Sequence, residues 1–420
     1  MKAKMKTTAA KEEARPELAP KLRFPEFRGA KGWESREVND LVDTVTPPKK
    51  LPTASYASSG AFPIIDQSQS DICGWTDDNE ALIRDGLPLI VFGDHTCILK
   101  LASRPFAQGA DGIKILKSRS KVGTPFLFQF LSHRPVVTEE YKRHYSILKE
   151  RTIFFPEFKS GEQQKIAECL SSVDELMAAQ ARKVDALKTH KKGLMQQLFP
   201  REGETVPRLR FPEFQNAGDW EVATIGDLKP FVTSGSRGWA PFYAEQGELF
   251  VRITNLWRDS IYLDLTDSKF VQLPPGAKEG VRTQLREHDV LISITADIGV
   301  IGYVDENVPS PAYINQHIAL VRFDSGQLCG KYVAYFLASE KSQRLFRAST
   351  DTGTKAGMSL IGIQKIQLML PGLPEQHRIA SCLSTLDGLI TAETQKLAAL
   401  KTHKKGLMQQ LFPCPEGVEG

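Results

Sequence analysis

At 420 residues, with 41% hydrophobic and 25% charged side chains, the chain is long enough for two or three folded domains and too apolar to persist as a disordered tail. Lys and Arg number 54 against 50 Asp and Glu, a formal net charge of +4, so affinity for a polyanion has to come from local patches rather than from the chain as a whole. No apolar run reaches the ~20 residues that span a bilayer and residues 1–20 contain no apolar signal core, which predicts a cytoplasmic protein. The six cysteines (Cys73, Cys97, Cys169, Cys329, Cys382, Cys414) are scattered without a CxxC pair or a Cys/His cluster at zinc-ligand spacing, so reduced thiols and no metal are expected.

After a basic leader, 1–20, comes Arg23-Phe-Pro-Glu-Phe27, then five residues, Trp33 and later Asp40-Leu41. The same series returns as Arg210 to Phe214, Trp220 and Asp227-Leu228. Both tryptophans read as core anchors rather than stacking platforms. From residue 33 to about 158 short β-rich runs such as LPLIVFGDHTCILKL (87–101) are punctuated by turn residues at Gly109 and Asp111-Gly112, which predicts a mixed module with a strand-rich core.

Next stands a helical unit that is written twice. Lys188 to Pro200 reads KTHKKGLMQQLFP and recurs unchanged from Lys401 to Pro413; the likeness runs back without a gap to Gly161 and Pro374. Apolar residues step by four and three, from Ile166, Leu170, Val173 and Met177 to Leu198, and from Ile379, Leu383, Leu386 and Ile390 to Leu411. A period of about 3.5 residues held for about five heptads is a coiled-coil seam. Gln180 and Glu393, then Lys191 and Lys404, interrupt it at equivalent places, and polar seam residues fix register and partner number. Pro200 and Pro413 stop both helices. About 35 residues at 1.5 Å each give ~50 Å, comparable with one and a half turns of B-DNA, so an antiparallel pair could act as a ruler. Homodimerisation through the seam, or a plain structural hairpin, fits the periodicity as well.

The second module has strand-like ELFVRITNL (248–256), DVLISITADIGVIGYV (289–304) and AYINQHIALVRF (312–323), followed by a helical run at 331–350. It shares no obvious sequence with the first. Similar start, dissimilar middle and similar helix, all repeated, describe two differently specified modules on one duplicated frame.

Unlike modules on a common frame invite a search for groups that read bases: Arg or Lys for guanine, Asn or Gln for adenine, with hydroxyls, cations and backbone N–H for phosphate. In the first module the candidates are Gln67, Ser68, His95, Arg104, Lys114, Lys117 and Arg119; in the second they are Ser234, Ser236, Arg237, Trp239, Arg252, Asn255, Arg258, Thr352, Thr354 and Lys355. Gly235, Gly238 and Gly353 would let backbone approach a phosphate. His95 serves equally as a structural histidine. No phosphate-binding P-loop, dinucleotide fingerprint, HExxH helix, nucleophile elbow or Asn/Asp-Pro-Pro-aromatic methyltransferase loop is present, and Glu157-Phe-Lys159 is too common a pattern to signify a nuclease. Catalysis is therefore not expected of this chain.

RFPEF with its following Trp, Pro156 with Glu162-Gln163-Gln164 and Ile166-Ala167, LPGLPEQHRIASCLSTLD (370–387) and the two KKGLMQQLFP terminators together resemble the specificity subunit of type I restriction–modification systems, over residues 21–413. FGDHT with GADGIKIL (109–116), and GSRGW with INQHIALVRF, are similar to segments of its recognition domains. The resemblance implies an α+β, multi-domain chain: two strand-rich α/β target-recognition domains, 21–158 and 201–373 with a linker at 201–209, separated by two long antiparallel coiled-coil helices, 159–200 and 374–413, with pseudo-two-fold symmetry and a tail at 414–420. It implies that each domain reads one half of a split double-stranded DNA site while the helices set the spacer. It also implies partnership with two modification subunits and with restriction subunits, which would carry S-adenosylmethionine, and ATP with Mg, in place of any cofactor in this chain. Gln163, Leu187, Leu194, Gln376, Leu400 and Leu407 become candidate spacer or partner-interface positions, with helix packing the competing role for the leucines. Pro156 and Glu162-Gln163 are two residues further apart than Pro371 and Glu375-Gln376, which predicts a departure from symmetry at that hinge. The competing function is a protein-binding adaptor that oligomerises through its coiled coil.

Overall fold

The computed structural model describes residues 18–110, 112–138, 143–350 and 357–413. These fall into two compact units, one made of residues up to Gln180 with those from Lys396 onward, the other of Ala181–Gln395. The long helices Glu162–Leu198 and Leu373–Leu411 therefore each contribute one part to each unit.

In the first unit the strand Glu34–Glu37 pairs antiparallel with Thr152–Phe155, which leads into the first long helix. One four-stranded antiparallel sheet has the order Val42–Val45, Ile113–Ser118, Leu89–Gly93, Leu99–Ala102. A second sheet has the order Gly74–Thr76, Phe62–Ile65, Phe106–Gln108, Leu82–Ile83, its middle pair parallel. Leu89–Gly93 is buried along its whole length, so its apolar residues run on without alternation, as a strand covered on both faces requires. The helix Thr124–His133 packs on that sheet with Pro125 in its first turn, where the missing N–H is not needed.

The second unit repeats this plan from a different sequence. Glu221–Thr224 pairs with Gln367–Leu370, which leads into the second long helix. An antiparallel sheet has the order Phe231–Ser234, Ile318–Arg322, Val290–Ser293, Ile301–Tyr303, and a second has the order Tyr243–Ala244, Lys269–Val271, Glu248–Val251, Ala312–Ile314, whose last pair is parallel. The two modules differ at the margin of the second sheet, where the extra strand joins opposite edges. The helical run at 331–350 is two helices, Gly330–Ala338 and Glu340–Thr350, because Ser339 is extended (ψ 153°).

Each unit closes on the same cluster of large rings. In the first, Phe412 from the end of the second long helix meets Phe126 and Phe130 at 5.7 and 5.2 Å between centroids, and Trp33 meets Phe126 at 5.8 Å. In the second, Phe199 meets Tyr332 and Phe336 at 5.8 and 5.5 Å, and Trp220 meets Tyr332 at 6.1 Å. All are buried, so Trp33 and Trp220 are core anchors and the Leu-Phe-Pro terminators supply core as well as a stop. Arg23 and Arg210, from the RFPEF motifs, hold Glu162 and Glu375 through two bonds each, at 2.8 and 2.7 Å in both cases. That bidentate pairing ties each motif to the first turn of the long helix in its own unit.

Expected asymmetry at the hinge gives way to repetition. Gln163 donates to the Pro156 carbonyl (2.8 Å) and accepts from the Gly123 amide (2.8 Å); Gln376 donates to the Pro371 carbonyl (2.9 Å) and accepts from the Cys329 amide (3.0 Å). Gly123 and Cys329 are the residues that precede the paired module helices. The two extra residues are absorbed by the turn Phe158–Ser160 and by Gly161 in the left-handed region (φ +80°).

The helix parts within each unit run antiparallel. Lys183 pairs with Glu393 (2.5 Å) and Lys191 with Asp387 (2.6 Å) in the second unit, one number rising as the other falls. Lys404 pairs with Asp174 (2.6 Å) in the first, the repeat-equivalent of Lys191 with Asp387. The polar interruptions are thus used inside the chain. No described helix is long and apolar enough to cross a membrane.

Candidate nucleic-acid interface

In the first unit, buried Lys100 shapes one end of the sheets by donating its ammonium to the carbonyls of Asp66 (2.8 Å) and Ser70 (2.5 Å). Burial lowers the pKa of this lysine. Its bonds fix the loop that carries Gln67 and Ser68. The Gln67 carbonyl also accepts from the Thr96 hydroxyl (2.9 Å), bringing the His95 turn alongside. Gly112 (φ +95°) lies beneath: a Cβ there would stand 2.5 Å from the Gln67 side-chain nitrogen, so only glycine fits without displacement. Asp94 accepts from the Tyr145 amide (2.8 Å), and the Lys114 ammonium lies 5.5 Å from the Tyr145 ring centre. Gln67, Ser68, His95 and Lys114 therefore gather at one end of the module. Lys117 lies at the far end of the same strand and Arg119 just beyond it, taken up by Asp43 (2.8 Å) and the Asp40 carbonyl (3.1 Å). Arg104 lies away from both, its guanidinium 5.5 Å from the Trp75 ring centre.

The second unit builds a comparable end from other residues. Gly235 packs so tightly on the backbone of Asn315 that a Cβ would fall 2.1 Å from its carbonyl oxygen. Arg282 donates to the Ser234 carbonyl (2.8 Å), to the Ser236 hydroxyl (2.7 Å) and to the Thr233 hydroxyl, pinning the loop from within. Arg237 stands exposed at its tip with no side-chain partner among the described residues, beside Gly238 at φ +93°. Across from it, His317 is bracketed by the Thr295 hydroxyl (2.5 Å) and the Gln316 amide (3.0 Å), and its own amide donates to Asn315 (3.1 Å). Gly357 forms an isolated antiparallel bridge with Thr295, next to His317. Thr352, Thr354 and Lys355 lie outside the described residues. Guanidinium, amide, imidazole and hydroxyl on two pinned loops are the inventory that base edges and phosphates call for.

Comparison with known proteins gives this arrangement its setting. Residues 218–402 match the family model for the type I restriction modification DNA specificity domain. The putative type I restriction enzyme MjaX specificity subunit of Methanocaldococcus jannaschii is 24% identical over 301 residues, 68% of this chain and 64% of that protein. The MjaVIII specificity subunit of the same organism is 23% identical over 258 residues, 60% of this chain and 59% of that protein. The chain is thus similar to specificity subunits of type I restriction–modification systems, and residues 218–402 carry the match to their DNA specificity domain. Its matches span about three fifths of the length of these curated relatives. The crystal structure of the type I S subunit from M. genitalium shares the fold, with a TM-score of 0.63 at 17% identity over 94% of this chain and 100% of that one.

Several of the candidate readers are instead engaged within the fold. Trp239 is 4% exposed and stacks in the core against Phe250 (4.8 Å) and Tyr313 (5.4 Å). Asn255 is 1% exposed; its carbonyl oxygen accepts from the Arg252 amide (2.9 Å) and its nitrogen donates to the Asp264 carbonyl (2.7 Å), so it closes a turn. Neither can reach a base. Arg252 is committed to Asp267 (2.9 Å), and Arg258 to Asp297 and Gln343, which ties a loop to the helix Glu340–Thr350. Gln163 and Gln376 are buried and fully engaged by the hinge bonds above, while Leu187, Leu194, Leu400 and Leu407 are half-buried along the seam. Sequence reasoning missed Arg282, Thr295, Gln316 and His317. The signal available in the sequence is INQHIALVRF, whose polar residues Asn315, Gln316 and His317 fall between two apolar strands.

Proposed function

We propose that this chain selects the DNA site of a type I restriction–modification complex, each unit reading one half of a bipartite target, with the helices setting the unread spacer. The observation that carries this reading is a frame whose anchoring contacts recur in both units around two loop ends that differ. Arg–Glu, Gln–Pro, Lys–Asp and the Trp–aromatic–Phe cluster recur in both units, whereas one presents Gln67, Ser68, His95 and Lys114 and the other Arg237, Gln316 and His317. An invariant frame with variable tips suits exchangeable readout better than it suits catalysis. Methyl transfer and cleavage then belong to partner subunits, which bring S-adenosylmethionine, and ATP with Mg. Two equivalent modification subunits fit the repeat as well: Leu176 and Leu389 stand at the same repeat position on the two long helices and are 58% and 47% exposed, apolar side chains of the sort a partner covers. The setting of such a complex is cytoplasmic.

Replacing residues 33–155 by the corresponding segment of another specificity subunit tests the reading. One half of the methylated target is expected to change and the other to persist; a change in both halves refutes modular readout.

A further inference from the structure

In the second unit an open groove of about 670 Å³ is lined by Phe231, Val281, Arg282, Arg286 and Arg322. Phe231 begins the edge strand of the antiparallel sheet, with Arg322 directly opposite on the next strand and its guanidinium 5.7 Å from the Phe231 ring centre. The three cations are not equally compensated. Arg322 is neutralised by buried Asp289 through two bonds of 2.7 Å. Arg282 bonds only to neutral oxygens. Arg286 is exposed, and its side chain makes no hydrogen bond or ion pair among the described residues. Three guanidiniums share one buried carboxylate, Asp289, which bonds Arg322 and acts on the Arg286 guanidinium only through space, so positive charge is in excess in the groove, next to a phenylalanine that is 45% exposed and the exposed Val281.

Among the described residues the corresponding sheet edge of the first unit is built differently. The pairing register places Asp43 opposite Lys117 in the first unit where Phe231 faces Arg322 in the second, and Asp43 also takes up Arg119. There Arg119 has a carboxylate partner of its own; here Arg282 and Arg286 have none among the described residues.

We propose that the groove holds the sugar–phosphate backbone of the DNA strand next to the half-site read by the second unit. Arg286 and Arg282 supply charge to phosphate oxygens, and Phe231 with Val281 forms an apolar wall against deoxyribose. A nucleic acid suits it better than an acidic protein face because the groove is continuous with the reading loop: Arg282, which lines it, also holds Ser234 and Ser236 and so sets the position of Arg237. Such a contact positions the duplex and carries no sequence information. This inference rests on the reading of the chain as a DNA-specificity subunit.

The test uses the full chain assembled with its modification subunits and a duplex bearing the methylated site, measured over a range of salt concentrations. Each phosphate neutralised adds about 0.9 to the slope of log affinity against log salt. Arg286→Gln is expected to lower that slope by about 0.9, to weaken target and unrelated duplexes by the same factor, and to leave the methylated motif unaltered. Arg286→Lys, which keeps the charge, is expected to restore the slope. An unchanged slope in Arg286→Gln places the groove away from DNA. An altered motif shows a base-reading site instead. Weaker assembly with the modification subunits at an unchanged slope identifies a protein-docking groove. Each of these overturns the inference while the DNA-specificity reading stands. If the unsubstituted complex shows no salt-dependent DNA binding, the functional reading itself fails.

Discussion

Replacing Lys191 by Met puts the polar junction of the second unit to a quantitative test. Asp387 receives the Lys191 ammonium at 2.6 Å and the Tyr335 hydroxyl at 2.6 Å, and all three residues are buried. Burial raises the pKa of the Tyr335 phenol far above its ordinary range, so it remains a donor to Asp387 throughout the working pH range. Lys191→Met leaves a buried carboxylate with the phenol alone. Removing one partner of a buried pair costs about 3–5 kcal/mol. The surviving Tyr335 bond favours the lower end, about 3 kcal/mol. For a unit of this size, 1 kcal/mol corresponds to roughly 2–4 °C in Tm, so a drop of about 6–12 °C is expected by calorimetry of the full chain. The triple change Lys191→Met, Asp387→Leu, Tyr335→Phe removes every polar partner together and is expected to return Tm to within about 3 °C of the starting protein, because an apolar substitute for a buried ionic group is often neutral or better. A single substitution costing under about 1 kcal/mol, or a triple as unstable as the single, refutes the reasoning.

Gln376→Leu orphans the Cys329 amide and the Pro371 carbonyl and is expected to destabilise the second unit by about 2–5 kcal/mol, read as a lower denaturation midpoint; Gln163→Leu should do the same in the first. Phe199→Ala and Phe412→Ala are each expected to cost about 3–5 kcal/mol, with hydrogen exchange rising in the second unit for the former and in the first for the latter. Gly235→Ala forces the Ser234–Trp239 loop off Asn315, so one half of the methylated motif should degrade while the other is kept. Burial pushes the Cys73 thiol up to about 11, so little thiolate forms at pH 8; alkylation there should be on the order of a hundredfold slower than for an ordinary thiol and should accelerate as pH rises towards that value.

What the sequence disclosed followed from repetition. Two identical terminators and a seam of 3.5-residue period announce the long helices, since heptads need no tertiary knowledge to be recognised. The shared plan of the two modules was hidden because topology is fixed by where apolar strands lie, and Leu89–Gly93 and Val290–Ser293 need share no residue to occupy the same place in a sheet. Ion pairs such as Arg23 with Glu162 join residues 139 positions apart and show only as two motifs that recur together. Candidate readers were the least legible part. Trp239 and Arg237 sit two residues apart in one glycine-rich loop, yet one turns into an aromatic core and the other into solvent, and side-chain direction in a loop is decided by neighbours that arrive from elsewhere. Arg282, which holds that loop, lies in a short helix with no motif to mark it.

On the function proposed above, this chain chooses a DNA site for partners that modify it. Long-read methylome sequencing of a host expressing the chain with its modification subunits, beside a host expressing the modification subunits alone, tests it most directly. A new two-part adenine-methylated motif with a fixed gap is expected, present only when the chain is present. No new motif, from a soluble complex whose modification subunits are active with another specificity subunit, would contradict it.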